Sequence, residues 1–256
     1  MIFLKSPQEI EIMRTANRVV SEILAELRER GGGPGISTGE LDRIAAELIR
    51  KKGARPAFKG YQMRNGSIPF PATICISLND EVVHGIPSFQ RIIKKGDVVS
   101  LDFGVIYRDF YGDAALTFAV GEGDETVRRL LETTSDALKQ GIAQAHVGNR
   151  LGDISAAIQE RVEREGFSVV REFVGHGIGR RLHEDPPVPN YGMRGRGVRL
   201  REGMVLAIEP MVNVGGAEVA LKSDGWTAVT RDGSLSAHFE HSIAITEKGP
   251  EVLSQL

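Results

Sequence analysis

The chain has 256 residues, 41% hydrophobic and 26% charged, with a net charge of −2. That balance gives no bulk electrostatic pull toward nucleic acid or a membrane surface, and no apolar run approaches the ~18 residues of a membrane span. The single cysteine, Cys75, excludes an intrachain disulfide framework and fits a reducing compartment. The opening stretch MIFLKSPQEIEIMRTANRVVSEIL mixes charges into its apolar residues. No signal peptide is expected from it, and a cytoplasmic location is.

Residues 7–30 carry Ile12, Val19, Ile23 and Leu27 at helical spacing, and GGGPG at 31–35 ends that helix. STGELDRIAAELIRKKG predicts a second helix, capped by Ser37 or Thr38 and stopped by Gly53. TICISL (73–78) and DVVSLDF (97–103) are β-rich. GDETVRRLLETTSDALKQGIAQAH and LGDISAAIQERVEREG are helical again. MVLAIEP, WTAVT and HFEHSIAIT then read as strands.

The order is helix, helix, strands, twice over. PGISTGELDRIAAELIRKKG lies over VGNRLGDISAAIQERVEREG at an offset of 113, and KGDVVSLD (95–102) over EGMVLAIE (202–209) at 107. VVHGIP (82–87) and VGHGIG (174–179) add a third match, His84 with His176. The expectation is one domain, 1–256, with related halves of about 1–120 and 121–256. Equivalent residues would then surround a shared centre.

LDFGVIYRDFYGDAALTF (101–118) predicts a hairpin turning near Arg108–Asp109. A two-residue loop places Tyr107 opposite Phe110 and Asp102 opposite Ala115. Asp113 then lies on the face of Asp102, diagonally across the pair. Two carboxylates converging on a buried face require a proton or a cation between them. On an exposed hairpin they would simply be solvated. Glu209 closes the apolar run MVLAIE, and Glu240 sits mid-strand, where a lone charge is costly unless paired or metal-bound. In SLSAHFEHSIAIT, alternation puts His238, Glu240 and Ser242 on one face. His176 is flanked by glycines, His84 has one glycine neighbour, and His183 stands in the loop-like LHEDPP. His146, His238 and His241 are read as packing or surface residues, the last two without a catalytic role. Two Asp, two Glu and one His make a hard-oxygen set with one imidazole. Such a set suits Mn²⁺, Fe²⁺, Co²⁺ or Zn²⁺, and four carboxylates carry charge for two ions. Two such ions activate water for hydrolysis.

LDFGV, YGDAA, GHGIGR, IEPM and HFEHS, in this order, resemble the five metal-ligand segments of the type I (bacterial) methionine aminopeptidases, from about Lys5 to Leu253. The resemblance implies an α+β pita-bread fold of two pseudo-symmetric halves, a central antiparallel sheet covered by helices. It implies hydrolytic removal of the initiator methionine from nascent proteins before a small second residue. It also implies two divalent ions held by Asp102, Asp113, His176, Glu209 and Glu240, with Asp113 and Glu240 bridging. Glu209 would handle the proton of the attacking water, His84 would contact the scissile nitrogen and His183 the substrate carbonyl oxygen. Cys75 and Trp226, with Phe70 and Tyr61 near them, would form the methionine pocket. A monovalent cation would sit near Asn79 and Ser236. Two departures stand out: segment 61–73 is longer than expected, and Leu182 replaces an aromatic of some relatives.

Two rival readings keep the same residues. An Xaa-Pro peptidase would cleave Ala-Pro peptides in preference to Met-Ala. A non-catalytic binding protein would be expected to lack ligands, whereas all five are present. MRGRGVRLREG (193–203) sets four arginines, Arg194, Arg196, Arg199 and Arg201, against Glu202. It is a solvated loop or a ribosome-docking element. No long amphipathic seam marks an obligate dimer, so a monomer is expected.

Overall fold

The computed structural model describes residues 1–62 and 68–255. Part of the long 61–73 segment thus lies outside the described residues. Helices α1 (Pro7–Gly31) and α2 (Thr38–Lys51) come first, followed by β1 (Arg55–Pro56), β2 (Cys75–Leu78), β3 (Glu81–Val83), β4 (Val98–Tyr107) and β5 (Phe110–Ala119). Helices α3 (Glu125–Ile142) and α4 (Leu151–Arg164) precede β6 (Ser168–Val169), β7 (Gly175–Gly177), β8 (Glu184–Val188), β9 (Val205–Ile208) and β10 (Met211–Asn213). The chain ends with β11 (Val219–Leu221), β12 (Ala228–Thr230), β13 (Ser236–His238), β14 (Glu240–Thr246) and β15 (Gly249–Val252).

Local chemistry fixes the helices. Ser6 and Glu9 form a capping box at the start of α1, with Pro7 in the first turn. Ser37 caps α2 and Asp124 caps α3 through their side chains. Helix α1 lays Ala16, Val20, Ile23 and Leu27 against β4 and β5 in one hydrophobic core. It comes so close that a Cβ on Gly112 would lie 2.8 Å from the Ala16 carbonyl carbon. Helices α3 and α4 close a second core around Leu130, Ile154, Ile158, Leu206 and Ile243.

Among the described residues nine strands form one antiparallel sheet, in the order β1-β4-β5-β14-β9-β7-β8, with β2 on β4 and β15 on β14. Two three-stranded sheets flank it, β13-β10-β6 and β11-β12-β3. The repeat offsets recur in the elements. Thr38 to Leu151 and Lys51 to Arg164, the bounds of α2 and α4, are both 113 positions apart. Val98 and Val205, which open β4 and β9, are 107 apart. The residues before the two helices make matching lone bridges, Ser37 with Ile92 and Arg150 with Arg199.

Two expectations need correction. The run HFEHSIAIT is not one strand. The chain breaks at Phe239, and β13 and β14 join different sheets. MVLAIEP crosses the same boundary at Glu209–Pro210, where proline has no N–H to continue the ladder. The stretch after His183 is not a loop. Residues 184–188 form β8, which carries Pro186 and Pro187 and tolerates them because it is a sheet edge.

The repeated His-Gly pair has a steric cause. A Cβ on Gly85 would stand 2.2 Å from the Ile76 carbonyl oxygen, and one on Gly177 2.2 Å from that of Asp185. Each glycine lets a neighbouring backbone pass directly beside the preceding histidine. Gly85→Ala and Gly177→Ala are therefore expected to cost roughly 2–4 kcal/mol each. Gly33→Ala, which meets nothing within 4 Å, should leave the melting temperature unchanged. Thermal melts of the three variants check this.

Candidate active site

The sheet register builds the site from two adjacent cross-strand rows. In the first, Cys75 pairs with Asp102, Asp102 with Ala115, and Ala115 with Glu240. Opposed residues of an antiparallel pair point to the same face, so these side chains share one surface. Glu209 follows β9 directly, in line with Glu240, because His241 pairs with Ile208. In the second row Gly104 pairs with Asp113, Ser242 with Ala207, and Ala207 with His176. Ser242 Oγ donates to the Asp113 carbonyl at 2.8 Å and joins the two ends of that row. The expected two-residue turn is present, with Tyr107 opposite Phe110. Small residues, Gly104, Ala115, Ala207 and Ser242, separate the acids, and Phe58 packs directly over Gly104, where a Cβ would meet its ring at 2.8 Å; a space remains beside the acids.

That space is a cavity of about 200 Å³. It is lined by Asp102, Asp113, His176, Glu209 and Glu240, by His84 and His183, and by Cys75, Trp226, Phe70 and Tyr61. The expected metal-binding, catalytic and pocket residues thus meet at one place, while Asn79 and Ser236 lie outside its lining. Asp113, His176 and Glu240 each bring a ligand atom within 4.8 Å of the others. Among the described residues, Asp113 Oδ1 and Glu240 Oε1 are buried without a hydrogen-bond partner. Such orphaned oxygens, facing one another and an imidazole, fit a divalent metal ion. The Nδ1–H of His176 donates to the Gly177 carbonyl at 2.9 Å. This leaves the Nε2 lone pair toward Glu209 Oε1 at 3.5 Å and Asp113 Oδ2 at 4.0 Å.

The electrostatics follow from burial. Loss of hydration raises Asp102 to about 7 and Glu209 to about 8. Asp113 and Glu240 go well above the carboxylate range, through burial and then through their acidic neighbours. Burial lowers His84 to about 4 and His176 to about 3, so both are neutral at pH 7, and the more exposed His183 ring is lowered in the same direction.

His84 follows β3 with φ 61°, a left-handed conformation that turns its ring edge-on to Phe173 (5.4 Å) and Trp226 (6.0 Å). His183 packs on His176 at 4.3 Å and hydrogen-bonds Tyr61 Oη through Nδ1 at 2.6 Å. Its loop is pinned by the buried Glu184 carboxylate, which accepts from Lys5 Nζ (2.6 Å), Arg180 N (2.8 Å) and Arg181 N (3.2 Å). The apolar wall joins Phe58, Phe70, Cys75, Leu182 and Trp226. Trp226 Nε1–H donates to the Ile68 carbonyl at 2.9 Å, fixing the indole. Burial, then the nearby carboxylates, push the Cys75 thiol well up.

Three residues near the site were missed. Phe58 and Phe173 line the cavity, and no sequence pattern marks an aromatic as pocket rather than core. His238, expected to be packing or surface, lies against the site with Nε2 3.5 Å from Glu209 Oε2. Its shared face with Glu240 in the alternation was the available signal.

Residues 11–247 match the model of Metallopeptidase family M24, and the chain belongs to that family, within its bacterial-type (type I) methionine aminopeptidases. Methionine aminopeptidase 1 of Bacillus subtilis is 51% identical over 256 residues, covering all of both chains. The crystal structure of methionine aminopeptidase from Thermotoga maritima superposes with a TM-score of 0.95 at 49% identity, also over all of both chains. A prolidase from Pyrococcus furiosus gives a TM-score of 0.79 at 24% identity, over 99% of this chain and 65% of that one. It bears on the fold alone, which is the α+β pita-bread arrangement with its curled antiparallel sheet.

The raised carboxylates give a stability signature. Between the unfolded carboxylate range near ~4 and the folded values, the folded chain holds more protons, so stability falls as pH rises. Above ~6.5 the histidines are neutral both folded and unfolded and do not oppose the trend. Protein stripped by a chelator should melt lower at pH 8.5 than at pH 6.5. With saturating Mn²⁺ the slope should reverse, because binding needs deprotonated ligands. Melting curves at the two pH values, with and without the ion, check both signs.

Proposed function

We infer that this chain is a hydrolase that removes the N-terminal methionine of peptides and nascent proteins, a protein-maturation step preferring a small second residue. The observation that carries the reading is the single cavity in which the carboxylate–imidazole cluster adjoins an apolar pocket walled by Cys75, Phe70 and Trp226. Asp102, Asp113, His176, Glu209 and Glu240 would hold two divalent ions (Co, Mn, Fe or Zn). When bound, such ions supply Lewis acidity and lower the pKa of water.

The chain's own groups do the rest. Glu209 takes the proton of the attacking water and returns it toward the leaving amine. His84 faces the scissile nitrogen. His183 is a neutral donor to the substrate carbonyl oxygen, which matters most as charge develops there. The Tyr61 hydroxyl, donating to Nδ1, keeps the proton of that ring on Nε2. An unbranched thioether fills the pocket against the soft Cys75 thiol. A cavity of about 200 Å³ filled by that side chain leaves room beside the carboxylates for only a small next residue.

The same reading takes the chain as one catalytic domain of two related halves, about 1–120 and 121–256, cytoplasmic and monomeric. No described helix is long and apolar enough to cross a membrane. A monovalent cation belongs near Asn79 and Ser236, where Ser236 N–H already donates to the Asn79 carbonyl at 2.9 Å. Ribosome docking would use the exposed loop 193–203. Arg194 is committed there to Glu160 at 2.7 Å, so Arg196, Arg199 and Arg201 would carry the contact. Charge reversal at Arg196 and Arg199 should then reduce co-sedimentation with ribosomes at low salt.

Methionine release from Met-Ala and Met-Lys peptides with added Co²⁺, Mn²⁺ or Fe²⁺ tests the activity. Met-Ala should be cleaved at least ~10-fold faster. Equal rates, or preference for Ala-Pro peptides, would overturn the reading. His84→Ala should keep the metal-induced rise in melting temperature and lose ~10²-fold or more in rate. Asp113→Ala or Glu240→Ala should lose both.

A further inference from the structure

His238 is 1% exposed, and neither of its ring nitrogens has a hydrogen-bond partner among the described residues. A buried polar ring left unpaired is costly, and this one cannot turn away. Its backbone N–H donates to Thr117 Oγ1 at 2.9 Å, and Thr117 Oγ1 donates back to its carbonyl at 2.6 Å. Met211 pairs with it across β10 and β13. The His238 backbone is therefore fixed, and from it the ring places Nε2 3.5 Å from Glu209 Oε2, while His176 Nε2 stands 3.5 Å from Glu209 Oε1. One carboxylate is bracketed by two imidazoles, one at each oxygen.

We propose that His238 is a positioning residue for Glu209: its Nε2–H donates to Oε2 and holds the carboxylate with Oε1 turned toward His176 and the reacting water. The proposal rests on the reading of Glu209 as the proton carrier. A lone pair on Nε2 would face a carboxylate oxygen acceptor to acceptor, and only the Nε2–H tautomer turns that approach into attraction. A carboxylate that ferries a proton needs one oxygen anchored so that the other is presented in a single orientation. Small shifts of such a group are costly to rate while leaving the apolar pocket intact. His238 approaches the other Glu209 oxygen from His176 and does not line the cavity, so substrate binding is not expected to depend on it.

The test compares His238→Leu, which removes the donor, with His238→Gln, which restores an N–H donor, in the full chain, stripped and Co²⁺-loaded. The His238→Leu variant should fold, with the stripped protein melting within a few degrees of the parent. Its Co²⁺-induced rise in melting temperature should persist, with an altered visible absorption spectrum as Glu209 loosens. Its kcat on Met-Ala peptides should fall ~10–100-fold with KM within ~3-fold. The His238→Gln variant should recover the spectrum and most of kcat. Unchanged kcat in His238→Leu, or equal loss in both variants, overturns the proposal. Loss of Co²⁺ binding in both variants also overturns it, by making His238 a ligand. Failure of the parent chain itself to release methionine with any metal removes the Glu209 reading, and the proposal falls with it.

Discussion

Four carboxylates crowd one buried face of a sheet, and their mutual repulsion in a low-dielectric pocket is the constraint to which the rest of the structure answers. Left ionised and uncompensated, such a cluster would drive the strands apart. The frame resists because two separate hydrophobic cores hold the sheet from its two ends. One lies under α1 and α2 and the other under α3 and α4. Gly104, Ala115, Ala207 and Ser242 keep the acids from being overpacked. The neutral imidazoles bring donors and lone pairs without adding charge.

The apolar pocket is the counterpart of that cluster. Cys75 stands in the same cross-strand row as Asp102, so the wall that would receive a side chain and the acids that would act on its backbone are one rigid piece. Trp226 is fixed at both ends, by Phe70 against its ring at 5.2 Å and by the Ile68 carbonyl on its N–H. Cys75 on its strand and the anchored indole thus present a fixed apolar wall beside the acids.

Much of this was legible in the sequence. The period of two and the length of the Arg108–Asp109 turn place Asp102, Asp113 and Ala115 on one face, and the register is the one observed. The ordered segments supply the gathering of acids and histidines. What could not be read follows from tertiary packing. Alternation through HFEHSIAIT continues past Phe239, whereas the backbone leaves one sheet for another there. Two prolines after His183 argue against a strand, and only the edge position of β8 admits them. His238 was set aside as packing or surface although the alternation placed it on the face of Glu240.

The two helix offsets and the two strand offsets differ, 113 against 107, so the connection from α2 to β4 is six residues longer than the one from α4 to β9. The longer connection carries Phe58, Tyr61, Phe70, Cys75 and His84; the shorter carries Phe173, His176, Leu182 and His183. The two proposed halves therefore agree where they hold the acids and diverge where they would meet the guest. Recutting the longer connector would reshape the apolar wall without moving any of the four clustered acids.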